Sequence, residues 1–231
     1  MRLCFYGQSH AAQHLAAAAL HCGFELCEDY PHVAFVSEDT PTDAKGVRDL
    51  APIRALMDQA LLTHGEEGPA ARTAQVPPGS ARPHGPRGDH QAETLRMRDA
   101  AHRARYPEQM IVGCADPEGA LPAAYETYLR AFGCPVLQMS YESAEFSKMA
   151  INAFLISQVE TTNMLSRLAG KCGADWIAVR ECLMMDARIG RNAYLTPGRW
   201  QDSIHLKRDY ATLCELDGDC YPDTFLEALD L

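Results

Sequence analysis

The stretch from Glu142 to Asp209 restricts the fold of this chain more than any other. It opens ESAEFSKMAINAFLISQVETTNMLSRLAGKCGAD, in which Phe146, Met149, Ala150, Ala153, Phe154, Ile156 and Val159 recur at steps of three and four. That period gathers them on one broad face of an α-helix. Ser143 stands where an N-cap belongs, and Gly170 and Gly173 stand where a helix stops. The spacing predicts a connecting helix over 143–172. A run of about 28 residues would extend about 40 Å at 1.5 Å per residue. Such a rod is longer than one side of a small domain, so it should reach from a domain toward a partner.

Upstream, short apolar strands alternate with helices. LCFY (residues 3–6), Gly7 and the alanine-rich SHAAQHLAAAALHCGF make a strand, a glycine turn and a helix ending near Gly23. That order opens a nucleotide-binding α/β unit. The phosphate fingerprint of such units wants three small positions, read here as Gly7, Ser9 and Ala12. Only the first is glycine, so a working dinucleotide site and a plain strand–helix start both remain open. Glu28 and Asp29 fall near the distance at which an acid holds ribose hydroxyls, but they read first as solvated loop acids.

A strand over His32–Val36, a helix over 44–63 and a strand from Ala71 toward Pro77-Pro78-Gly79 follow. Gly79 to His90 is rich in Gly, Pro, Arg and His and reads as a loop. Then come a helix (Ala92–Arg105), a strand (Met110–Cys114), a helix (Pro122–Gly133) and a strand (Pro135–Met139). Strands alternating with helices imply a mainly parallel sheet. Beyond Gly173 the pattern is helical only.

Composition limits the function. A net charge of −10 argues against nucleic acid or an anionic membrane as partner. No apolar run approaches the roughly 18 residues needed to cross a bilayer. The N-terminal MRLCFYGQSH is too short in apolar residues for a signal peptide. Nine cysteines without a CxxC pair fit reduced thiols in the cytoplasm. No metal site is expected. His10, His14 and His21 lie at helical spacing without acid partners, and Asp217, Asp219 and Asp223 lack the spacing of a calcium loop.

The long helix, MMDARIG and YLTPG together resemble the UDP-glucose/GDP-mannose dehydrogenase family. So do VAFVSEDTPTD, the turn around Val76-Pro77-Pro78-Gly79-Ser80, QAETLR (Gln91–Arg96) and YPEQMIVG (Tyr106–Gly113). The resemblance implies a truncated Rossmann-like domain over 1–140 and an all-helical dimerisation domain over 141–231. It implies NAD as cofactor, a UDP- or GDP-linked sugar as ligand and a homodimer. Members oxidise the sugar C6 alcohol to a carboxylate through a cysteine thiol. Carried over residue by residue, Glu93, Lys148, Asn152 and Asp209 match the surrounding polar set. Lys148 and Asn152, four apart, project from one helix face. Gly7, Ser9, Ala12 and Gln75 match the cofactor positions, with Gln75 standing where a threonine is expected. Arg188, in MDARIG, is a candidate for anion binding or a subunit contact.

The same register puts His205 at the cysteine. A thiolate forms a thiohemiacetal and then a thioester, which is what permits oxidation past the aldehyde. Imidazole offers no comparable route. About one βαβ unit, second strand included, is expected to be missing between Leu26 and His32, and the family's third, nucleotide-sugar domain is expected to be missing after Leu231. Two readings follow. One is a degenerate homologue serving as a dimeric binding, scaffold or regulatory protein. The other is an oxidoreductase acting on a nucleotide sugar without a thioester step.

Overall fold

The computed structural model describes residues 1–38, 41, 49–64, 70–72, 88–92, 95 and 98–217. The chain divides into two compact units, Met1–Lys148 and Met149–Leu231.

The first unit is a seven-stranded sheet with helices between most successive strands. In chain order it contains β1 (Arg2–Tyr6), α1 (His10–His21), β2 (Glu25–Leu26), β3 (Val33–Val36), α2 (Ala51–His64), β4 (Ala70–Arg72) and β5 (Gly88–Ala92). There follow α3 (Ala100–Arg105), β6 (Met110–Cys114), α4 (Ala123–Arg130) and β7 (Val136–Ser140). The strand order is β2-β1-β3-β4-β5-β6-β7. Every pairing is parallel except β5 with β6. β3 and β6 are buried along their whole length, as in sheets covered on both faces.

A doubly wound nucleotide-binding sheet runs 3-2-1-4-5-6. Here β2 takes the second-strand place, with Arg2 opposite Glu25 and Leu3 opposite Leu26. The expectation that the second strand is missing is therefore corrected. What is absent from that order is the outer third strand, because the chain returns from Leu26 directly to β3.

The core of this unit is aromatic. α4 lays Tyr125, Tyr128 and Leu129 against Leu3, Val33, Phe35 and Val112, all at most 1% exposed. Phe35 lies 4.6 Å from Tyr128 and stacks on Phe5 at 4.7 Å, ring centre to ring centre. α1 packs through Leu15 and Ala18 against Ala104 of α3. Its small alanines permit that close approach.

Two predicted elements shift. The loop expected through His90 is β5 from Gly88 onward, and the helix expected from Ala92 begins only at Ala100. GDHQA has the composition of a turn, yet it pairs with β4 and β6, and its Gln91 accepts a hydrogen bond from the Tyr125 hydroxyl at 3.2 Å. Pairing on both sides overrides local propensity.

The predicted long helix is α5, Tyr141–Cys172, 32 residues long and close to 48 Å by the rise per residue. It starts before Ser143. The Ser140 hydroxyl accepts the Ser143 N–H at 3.2 Å, so Ser140 is the cap. The helix passes through Gly170 and ends at Gly173, whose φ of +75° suits glycine. The second unit adds α6 (Trp176–Met185), a 3-10 turn (Trp200–Asp202) and α7 (Ile204–Asp217).

Candidate functional site

Two places carry the expected site residues, and each lies within one unit. The first is the start of α1. Ser9 caps this helix, its hydroxyl accepting the Ala12 N–H at 3.0 Å. The same hydroxyl lies 3.0 Å from the Ser37 carbonyl and 2.9 Å from the Ser37 hydroxyl. Ser9 is 3% exposed and Ser37 2%. Gly7 has φ +109°, and a Cβ built there would stand 2.1 Å from the Ser37 carbonyl oxygen. Glycine is required here because β3 leads its own backbone across this position. One residue on, the Gln8 N–H donates to the Glu38 carboxylate at 2.8 Å.

In a dinucleotide site those first N–H groups and the helix dipole receive pyrophosphate. In this chain the Ser9 hydroxyl and the Glu38 carboxylate take up the Ala12 and Gln8 donors. Glu38 also reaches within 3.0 Å of the Gly7 Cβ position. An anion placed there would meet the Glu38 carboxylate. The residues present do not fit the pyrophosphate of NAD, and no chemical step is derived through that cofactor.

Beside this closed cradle a cleft of about 360 Å³ remains, lined chiefly by Phe5, Gly7, Ala12, Ala16, Leu26 and Glu28. Cys4, Gln13 and Cys27 complete its wall. Glu28 thus borders a hollow at the end of β2, in the place of a ribose acid. Burial pushes the Cys4 thiol up from its ordinary value.

The second place is in the helical unit. Three side chains of α5 clasp the segment that leads into α7. Gln158 accepts the Tyr194 N–H at 3.0 Å, and Thr162 donates to the Tyr194 carbonyl at 2.7 Å. Asn163 holds Gly198 from both sides, donating to its carbonyl at 2.8 Å and accepting its N–H at 2.9 Å. Trp200 then packs with Ile156 and Val159, donates its indole N–H to Glu160 at 2.6 Å, and meets Tyr210 edge-on at 5.0 Å. This fastening sets the start of α7.

On α7, Asp209 is 1% exposed. Its carboxylate accepts from Asn152 Nδ2 at 2.6 Å and from Arg208 Nε at 3.1 Å. A buried charge needs such partners, since removing one leaves the other uncompensated. Asn152 and Asp209 are therefore brought together. His205 lies on α7 one turn before Asp209 and is exposed. Lys148 lies on α5 and closes the first unit, while Asn152 belongs to the second. Glu93 and Gln75 lie outside the described residues. Arg188 spends its guanidinium on Asp186 at 2.7 and 3.0 Å, which lowers the Asp186 carboxyl and raises the arginine.

Sequence reasoning missed Glu38, Ser37 and Arg208. The first two need the β3–α1 approach to be known. Arg208 adjoins Asp209 in sequence, and helical neighbours one apart do not ordinarily face each other. Among the described residues, no three metal-ligating side chains cluster and no helix is long and apolar enough to cross a membrane.

Comparison with known proteins agrees with this architecture. Residues 142–228 match the model of the UDP-glucose/GDP-mannose dehydrogenase family, central domain. UDP-glucose 6-dehydrogenase TuaD of Bacillus subtilis is 30% identical over 138 residues, 59% of this chain and 29% of its own length. The rat UDP-glucose 6-dehydrogenase is 36% identical over 104 residues, 42% of this chain and 21% of its own. The chain thus spans well under half the length of these relatives. Among solved structures, a UDP-glucose dehydrogenase from Pyrobaculum islandicum superposes with TM-score 0.71 at 20% identity, over 93% of this chain and 63% of the other. GDP-mannose dehydrogenase from Pseudomonas aeruginosa gives 0.67 at 17%, over 86% and 60%. At those identities the structures speak for the fold: a Rossmann-like sheet followed by a helical domain. With the curated relatives beside that fold, residues 142–228 carry the central domain of the UDP-glucose/GDP-mannose dehydrogenase family, and the rest of the chain shares its fold.

Proposed function

We propose that this chain is a non-oxidising member of its family, a dimeric binding, scaffold or regulatory protein that does not use NAD. The observation that supports this most is the chemistry at the head of α7. An imidazole, His205, stands in the register of the thiol, one turn from Asp209. Asp209 is itself held by Asn152 and Arg208. The polar surroundings are kept without the group that forms the acyl intermediate. The carboxylate across the start of α1 supports the same reading for the cofactor.

In this reading residues 1–140 are a depleted cofactor-type domain and 141–231 a helical dimerisation domain. None of the ten residues of α6 is buried, and Ile177 and Met185 are 65% and 73% exposed. An apolar helix with no fully buried residue calls for a partner surface, and a second copy of the chain is the partner proposed. Free thiols at Cys4, Cys22, Cys27 and Cys114 support a cytoplasmic setting. A nucleotide sugar is the ligand class proposed for the polar residues of the second unit, Asn152, His205 and Asp209.

The test is NADH formation from UDP- and GDP-sugars, together with light scattering on the protein alone. No NADH from wild type, and a mass twice the 25.4 kDa chain, are the expected results. Two NADH per sugar from wild type would end this reading. One NADH per sugar would move it to a two-electron oxidoreductase. His205→Cys is expected to remain silent because the cofactor cradle is closed.

A further inference from the structure

The closed cradle has a consequence for ligand choice. Three observations meet at the start of α1. The Gln8 N–H, a donor that would otherwise point at bound phosphate, is held by Glu38 at 2.8 Å. The Ser9 hydroxyl takes the next donor, Ala12 N–H, and is itself fixed to Ser37. The cleft alongside is open, with walls from Phe5, Ala12, Ala16 and Leu26. Gly7 lines this hollow, and the Glu38 carboxylate lies 3.0 Å from the Gly7 Cβ position, so the chain's own anion stands at that edge.

We propose that Glu38 is the specificity-determining residue of this cleft, an internal anion that excludes phosphorylated ligands and leaves neutral ones unaffected. The inference rests on the reading that NAD is not used, and it adds the cause. A carboxylate accepting a backbone N–H at a helix N-terminus is stabilised by the dipole, as phosphate would be. An incoming phosphate would have to displace it or sit against a like charge. Glu28, at the other end of the hollow, is a second carboxylate. It is unchanged by substitution at 38 and so serves as an internal constant.

The experiment is calorimetric titration of the full chain, as wild type, Glu38→Gln and Glu38→Ala, with ADP-ribose and with adenosine. Glutamine keeps the shape and removes the charge; alanine removes both, and thermal melts check that each variant is folded. Wild type is expected to give no saturable heat with ADP-ribose. Both variants should gain at least about tenfold in ADP-ribose association, with the adenosine response unchanged. Equal ADP-ribose behaviour in wild type and both variants overturns the proposal. So does an equal gain for adenosine, since charge would then not be the determinant. Tight ADP-ribose or NAD binding by wild type sinks both this inference and the non-NAD reading. Silence in all three proteins sinks this inference alone.

Discussion

The two units differ in the size of the apolar cluster that each one buries. In the first, Leu3, Phe35, Tyr125 and Tyr128 are at most 1% exposed and touch one another. In the second, Phe154, Ile177, Met185 and Ile204 are 65–79% exposed, and the internal cluster is small: Ile156, Val159 and Trp200, flanked by Tyr194, Leu206 and Tyr210. The first unit completes its own core. The second is held by hydrogen bonds between α5 and the segment before α7, and among its described residues several large apolar side chains stay exposed.

This contrast can be broken by experiment, because both tryptophans of the chain, Trp176 and Trp200, lie in the second unit. Indole fluorescence therefore reports that unit, while far-UV circular dichroism reports both. The largest effect is expected for Tyr128→Ala. It empties the centre of the aromatic cluster and should cost about 3–5 kcal/mol, read as a fall in the urea midpoint by circular dichroism. A smaller shift by fluorescence would confirm that each unit has its own stability. Coincident shifts would show a single unfolding unit and erase the contrast.

Trp200→Phe comes next. It keeps an aromatic ring against Ile156 and Val159 but loses the charge-assisted bond to Glu160, worth about 1.5–3 kcal/mol. Fluorescence from Trp176 should then show the loss. A circular dichroism midpoint moved as far as in Tyr128→Ala would contradict the assignment of weight to the first core.

The smallest effect is a pH dependence. Burial, then the neighbouring His10, depresses His14 below its ordinary 6.5. The folded state thus binds this proton less readily than the unfolded one. The stability that depends on neutral His14 is complete above pH 6.5 and declines as pH falls through that value toward the lowered one. Midpoints of wild type and His14→Gln at pH 7.5 and 5.5 check it, with the variant expected to lose less on acidification.

How far the sequence disclosed this molecule depended on whether the controlling contact was local. β6 and α5 were legible because their apolar residues keep a strand or helix period. β5 was not, since nothing in GDHQA announces a strand and its form comes from the strands on either side. Asn152 and Asp209 could be brought together by resemblance, and they do bond. Arg208 could not be read, because its role follows from how far it is buried beside Asp209. Glu38 was invisible for a similar reason. It lies 30 residues from the N–H it holds, and only the parallel pairing of β1 with β3 brings the two strand ends together.

Gly7 carries one more lesson. Its place is secured by the Ser37 carbonyl, which stands where any side chain would begin. The fold alone requires glycine there, whether or not a cofactor binds. Counting fingerprint glycines in chains of this kind therefore measures descent. Whether the cofactor is still used has to be asked of the residue that now sits opposite.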